Sequence, residues 1–182
     1  MRPDPAVIEL RLNRAAQVFH TLDPSPFREG DLDSVAENYI LAQARALPGA
    51  VPLAIRISLP GAELTSAAAM EIPDAVQQHF ARRVETERRA LAELFREGRA
   101  ALVIGVAFLA LALLAAVQAP LLLGEGRVAT LLSESLIIIG WVALWHPAQI
   151  FLYGWLPGRR NIVIFRRLSQ AAVTLVPASP NG

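Results

Sequence analysis

Lysine is missing from this chain. All 17 basic residues among its 182 are arginines, which excludes Schiff-base catalysis and the lysine-bearing phosphate loop. Cysteine is missing as well, so disulfides and thiolate metal sites are ruled out. Histidine is scarce. His20, His79 and His146 fall in three different stretches and form no His-Glu zinc motif. None of the sequences GxxxxGK, GxGxxG after a strand, or GxSxG occurs, so no cofactor is implied. Charge of one sign is not in excess either. A net charge of +1 gives no electrostatic reason to expect nucleic acid as a partner. Residues 1–22 hold no apolar core long enough for a signal peptide, so none is expected.

What is abundant is hydrocarbon: 54% of residues are hydrophobic and mean hydropathy is +0.40. The excess is concentrated in residues 100–156. ALVIGVAFLALALLAAVQA, residues 101–119, carries no formal charge, and VATLLSESLIIIGWVALW, residues 128–145, carries only Glu134. At a rise of 1.5 Å per residue, a bilayer crossing needs about 20 apolar residues. Each run is marginal alone, and together they read as a hairpin. PLLLGEGR, with Pro120, Gly124 and Gly126, supplies a tight turn. Arginines crowd the outer flanks, at positions 82, 83, 88, 89, 96 and 99 and again at 159, 160, 166 and 167. The turn has Arg127 alone. The positive-inside rule then places both termini in the cytoplasm, beside anionic headgroups.

Two clusters in this region are candidate sites. Glu134, between Ser133 and Ser135, lies about two turns inside the second run, where a carboxylate is costly unless paired or wetted. An end-of-helix role bonded to Arg127 or Gln118, a contact between subunits, and an ion or proton path are the readings of that polar site. The second cluster is WVALWHPAQIFLYGWLPGRR. Trp141, Trp145, Tyr153 and Trp155 are amphipathic rings of the kind that collect at headgroup level, with Arg159 and Arg160 beside them. Pro147 should end or bend the span, residues 148–156 should lie along the inner surface, and Pro157-Gly158 should end that interfacial helix.

The remainder reads as a small α/β domain. VIELRL, residues 7–12, and PLAIRISLP, residues 52–60, alternate with period two and predict half-buried strands. Between them, Ala15, Val18, Phe19 and Leu22 recur at helical spacing before Asp23-Pro24 stops them. A second helix, capped by Asp33 or Ser34, should run to Leu47 with Val35, Tyr39, Leu41 and Ala44 among its apolar positions. The strand–helix–strand order allows a parallel pair. Pro73 fits the first turn of a long helix whose stripe is Ile72, Val76, Phe80, Val84, Leu91 and Phe95, with Gly98 as its one soft point. AAVTLV, residues 171–176, is a candidate strand returning to the sheet, and the ending PASPNG has the composition of a disordered tail. His20 and Asp23 are a conceivable base and orienter, though a helix-end contact is the commoner arrangement. The acids Asp23, Glu29, Asp31 and Asp33 do not match the spacing of a calcium loop.

The expected organisation is therefore a cytoplasmic α/β module over residues 1–70, an amphipathic helix over 71–99, and a transmembrane hairpin over 100–146. An interfacial segment over 147–160 and a cytoplasmic tail over 161–182 complete it. LDPSPFREGDLDSVAENYI and WVALWHPAQIFLYGWLPGRR resemble a group of bacterial inner-membrane proteins with no assigned activity. The resemblance implies this architecture and an inner-membrane location, and it carries over no catalytic residue, substrate or cofactor. Where that group has an acidic residue and a second tryptophan, this chain has Gly154 and Leu156. The leading functional expectation is a non-enzymatic component that presents its module for assembly or protein contact, as a homo-oligomer or with a membrane-protein partner. One alternative is an oligomeric ion or proton pathway centred on Glu134. Another is a membrane-associated enzyme acting on a phosphate-containing substrate, with arginines as anion binders.

Overall fold

A computed structural model describes residues 4–19, 32–49, 51–124 and 126–178. His20, the acids at 23, 29 and 31, and the last four residues of the tail lie outside them. The chain divides into two units: residues 1–87 with 160–182, and residues 88–159.

The first unit is built on a three-stranded parallel sheet. β1 (Ala6–Arg11), β2 (Leu53–Leu59) and β3 (Ala172–Pro177) lie in that order. The register pairs Ile8 with Ile55, Ile55 with Val173, and Ile57 with Leu175. The alternation in the sequence is the cause. Leu53, Ile55, Ile57 and Leu59 are all buried on one face, while Arg56 is exposed on the other. The returning strand is real, so both flanks of the apolar region contribute to one sheet. Two crossovers of the same hand in sequential strand order put their helices on one face, and the other face stays open. There Glu9 and Arg56, register partners, form an exposed ion pair at 3.0 Å.

Three helical pieces cover the buried face. α1 (Ser34–Ala46) starts where the Asp33 carboxylate accepts the Val35 amide at 3.0 Å. Its buried stripe is Ala36, Ile40, Leu41 and Ala44. Val35 and Tyr39, read among the apolar positions of this helix, are 75% and 43% exposed. They sit one position off the buried stripe, a rotation of about 100° per residue. Their apolar character therefore lies on the flank that the sheet does not cover. Of the helix expected over residues 15–22, the described part is a single 3-10 turn, Ala15–Val18, and Leu22 lies outside the described residues. Phe19 is already extended, bridged antiparallel to Leu32, so the chain has left helical geometry. The Glu63 carboxylate takes the Ala15 amide at 2.9 Å and holds that turn from a distant loop.

α2 runs from Ala67 to Leu123, 57 residues. It begins six residues before Pro73, because Ser66 Oγ accepts the Ala69 amide at 3.1 Å and caps the start. Pro73 is thus inside the helix, in its second turn. The expected stripe is buried through Ile72, Val76, Phe80 and Val84. α5 (Leu156–Ser169) closes the core with Phe165 stacked on Phe80 at 6.1 Å. Arg167 donates to the carbonyls of Pro48 and Val51, both at 2.7 Å, and ties down the loop before β2. Gln77 donates to the Ala171 carbonyl at 2.9 Å, fixing the entry to β3.

The second unit pairs the distal part of α2 with α3 (Arg127–Val142), α4 (Trp145–Gln149) and a π turn (Ile150–Gly154). Two helices here are long and apolar enough to cross a membrane, and only 17% and 11% of their most apolar windows are buried. Their contact seam is made of small residues. Gly105, Ala112, Ala116, Ala119, Ala129 and Gly140 are buried along it, while most of the leucines, isoleucines and valines are exposed. A Cβ on Gly140 would come within 2.8 Å of Leu109 Cδ1 and 3.1 Å of Ala112 Cβ. On Gly98 it would meet Ile150 Cγ2 at 2.8 Å. α2 passes unbroken through Gly98, which serves close approach and not bending.

Pro120 does not open the turn as expected, since α2 continues for three more residues to Leu123. The turn comes at Gly124, whose φ of 77° suits glycine. A proline inside a helix leaves the carbonyl four residues earlier without its amide donor. That carbonyl belongs to Ala116, and the Ser133 hydroxyl of α3 donates to it at 2.8 Å. A neighbouring hydroxyl replaces the missing backbone bond, as prolines in apolar helices require. Beyond α3, the helix is interrupted at Ala143 and Leu144, just before Pro147 and not at it. Pro157 and Gly158 lie in the first turn of α5, so they open a helix where the end of one was expected.

Candidate functional site

The most structured polar cluster is in the first unit, and no sequence motif marks it. Glu37 lies one turn into α1, while His79 and Arg83 are four apart on α2 and so share a face. His79 is 4% exposed. Its Nδ1 accepts the Leu32 amide at 3.4 Å, which puts the ring proton on Nε2, 3.3 Å from Glu37 Oε2. Glu37 Oε1 lies 2.8 Å from Arg83 Nε. That N–H is not aligned for a hydrogen bond, so the contact is an ion pair by distance. The Arg83 guanidinium also lies over the Phe165 ring, 5.4 Å from its centre.

These contacts form a chain of orientation. The Leu32 amide orients the imidazole, whose Nε2 lies beside one Glu37 oxygen, while the other oxygen and an aromatic face lie against the guanidinium. The two contacts of Glu37 are close in distance and are not hydrogen bonds. Among the described residues, the two terminal nitrogens of Arg83 make no hydrogen bond. The side chain is 42% exposed and lines a cleft of about 400 Å³ with Ser34, Glu37, His79, Arg82 and Thr86. A planar fork of donors set beside a carboxylate and over an aromatic ring is what bidentate recognition of a phosphate or carboxylate uses. His79 is buried and its Nδ1 already accepts the Leu32 amide, so it acts here as a strut. No group of three or more metal-ligating side chains comes together among the described residues.

The residues singled out from sequence are distributed differently. Ser133, Glu134 and Ser135 do not form one site. Ser133 faces α2, and Ser135 turns back onto the Leu131 carbonyl at 2.7 Å. Glu134 is exposed on the outer side of α3, and among the described residues it makes no hydrogen bond or ion pair, with Arg127 or Gln118 or any other. Trp141, Trp145 and Tyr153 are exposed. Trp155 donates its indole N–H to the Phe151 carbonyl at 3.0 Å, and Arg159 lies 5.6 Å over its ring. Arg160 is exposed without joining that stack. Residues 148–156 form no single helix. Phe151 stacks on Phe95 of α2 at 6.1 Å, and Gly154 allows ordinary contact with Leu94.

Sequence reasoning missed the Glu37, His79 and Arg83 cluster because Glu37 lies 42 and 46 residues before the other two in the chain. The one available signal was the i, i+4 spacing of His79 and Arg83 on a helix whose other face is apolar. No family model, curated protein or solved structure matches the chain. What stands is architectural: a small mixed α/β domain with a three-stranded parallel sheet, and two long apolar helices.

Proposed function

We propose that this is a two-span membrane protein of the bacterial inner membrane whose α/β unit binds a phosphate-bearing group in the Arg83 cleft. The observation that carries the reading is the Arg83 guanidinium, held by Glu37 and Phe165 with its terminal nitrogens uncommitted. A phosphate-directed protein has more support than a module that only presents a surface. A half-buried Glu37 in contact with the buried His79 and with Arg83 is a built polar centre, and a presenting module needs none. Binding is the part these residues support, since the His79 ring is buried and its Nδ1 is taken by the Leu32 amide.

The membrane part of the reading rests on the second unit. Small residues inside and large apolar residues outside invert the pattern of a water-soluble core and suit a lipid solvent. Because the sheet takes β1 and β2 from before the hairpin and β3 from after it, both flanks belong on one side of the bilayer. The arginines of those flanks make that side cytoplasmic. Trp141, Trp145, Tyr153 and the Trp155–Arg159 stack, with Arg160, then anchor the inner headgroup region.

The binding test is calorimetric titration of the purified full chain in detergent with inorganic phosphate, pyrophosphate and a nucleoside triphosphate. Saturable binding that Arg83→Ala weakens at least tenfold, and Glu37→Gln weakens less, is expected. Equal binding by wild type and Arg83→Ala would reject the cleft. For topology, the absence of native cysteine allows single-cysteine labelling. An impermeant thiol reagent on intact cells should label Gly124→Cys and spare Ala178→Cys.

A further inference from the structure

One outward face of α3 combines regular apolar spacing with a lone carboxyl. Leu131, Glu134, Ile138 and Trp141 are separated by three, four and three residues, the spacing of a helix-pairing seam. Leu131, Ile138 and Trp141 are 63%, 63% and 62% exposed. The opposite face of α3 is already occupied. Ala129 and Gly140 are buried there, and Ser133 is bonded to the Ala116 carbonyl of α2. Seven residues separate Glu134 from Arg127 at the helix start, about 10 Å along the axis. A glutamate side chain is too short to span that distance back to the helix end. Among the described residues Glu134 makes no hydrogen bond or ion pair, and hydrocarbon offers none.

We infer that this face is the contact between two copies of the chain, paired in parallel about a two-fold axis along the membrane normal, with Glu134 meeting Glu134 of the partner copy. The inference rests on the hairpin crossing the bilayer. It is independent of the phosphate cleft. Symmetry selects the occupant. Two copies inserted the same way present the same residue at the same depth, so each carboxyl finds a hydrogen-bonding group in register. One carboxyl donates a shared proton to the other. A different partner would need a donor placed by coincidence at that depth. Leu131 and Ile138 lie one turn to either side of the pair along the helix and exclude lipid from it. A single polar position in an apolar seam fixes register and copy number at the expense of some stability, which is the role assigned here to Glu134.

The experiment uses the full chain in the membranes of the expressing cell, with Ile138→Cys as the sole cysteine. Mild oxidation should give a disulfide-linked dimer of twice the chain mass. Leu114→Cys, exposed on α2, is the collision control and should give at least fivefold less. Adding Glu134→Leu to Ile138→Cys should lower the dimer at least fivefold. Glu134→Gln, whose carboxamides also pair, should keep it within twofold. Equal yields at Ile138 and Leu114, no response to Glu134→Leu, or an adduct with another protein in place of the dimer would each overturn the inference. Alkaline carbonate extraction of the same membranes separates the two levels. Release of the chain overturns the membrane reading and the dimer with it, whereas retention without a dimer overturns the dimer alone.

Discussion

The two units solve the same packing problem with opposite residues. In the α/β unit, Phe80, Phe165, Ile55, Ile57 and Leu59 are inside, and charged pairs such as Glu9–Arg56 are outside. In the hairpin unit, Gly140, Ala112, Ala116 and Ala129 are inside, and Leu111, Leu122, Ile138 and Val142 are outside. In water, burying large apolar side chains drives folding. In lipid, hydrocarbon solvates leucine as well as a core does, so stability comes from close backbone approach and from satisfied polar groups. One chain therefore holds two definitions of a core, and a substitution harmless in one should be harmful in the other.

The comparison breaks most clearly at Phe80. It is fully buried and stacked on Phe165. Phe80→Ala should cost the α/β unit about 3–5 kcal/mol through lost transfer energy and a cavity. Hydrogen exchange on the purified chain should show protection lost in β2 and β3. The hairpin should keep its own signal, because all three tryptophans, 141, 145 and 155, report on that unit.

The mirror change is Gly140→Leu, which adds hydrophobicity where a soluble core would accept it. The new Cβ alone would press on Leu109 and Ala112 at 2.8 and 3.1 Å. Overpacking of this kind costs about 1–3 kcal/mol or more. Tryptophan emission should shift, and protease should open the second unit at lower detergent or temperature stress. Wild-type resistance in Gly140→Leu would mean that the small-residue seam is not the helix contact.

A finer test uses Pro120 and Ser133. Ser133→Ala removes the donor to the Ala116 carbonyl and should cost about 0.6–1.7 kcal/mol. Pro120→Ala restores a backbone amide to that carbonyl, so in its background Ser133→Ala should cost clearly less. A double-mutant cycle with no coupling between the two positions would reject the compensation. The smallest effect is expected at the exposed Glu9–Arg56 pair. Arg56→Ala should cost about 0.2–1 kcal/mol, decreasing with salt, as measured by chemical denaturation of the α/β unit.

Much of this was legible in sequence because it depends on local periodicity. Alternation in residues 52–60 gave β2 and its buried face. Uncharged length gave the two long helices, and the Asp33–Val35 cap fixed where α1 begins. The misreadings have one cause. Proline was read as an end of structure at Pro120 and at Pro157, yet both lie inside helices. Whether a helix survives a proline depends on who satisfies the freed carbonyl. At Pro120 that partner is Ser133, 13 residues away across the turn. The exposure of Val35 and Tyr39 was out of reach for a related reason. Composition says a helix has apolar flanks, and only the position of the sheet says which flank it covers.

The sequence by itself determined the partition of this protein into a charged, alternating α/β part and a hydrocarbon-rich hairpin, because solvent preference and period are properties of short stretches. Tertiary structure alone decided what those stretches do together. It brought residues 172–177 back beside β2, so that one sheet holds both flanks of the hairpin. It also gathered Glu37, His79 and Arg83 from α1 and α2 into a single oriented cleft. Ion pairs act over a few ångströms of space and are indifferent to distance along the chain. No reading of neighbours in sequence reaches them until the sheet and its crossover helices have set that space.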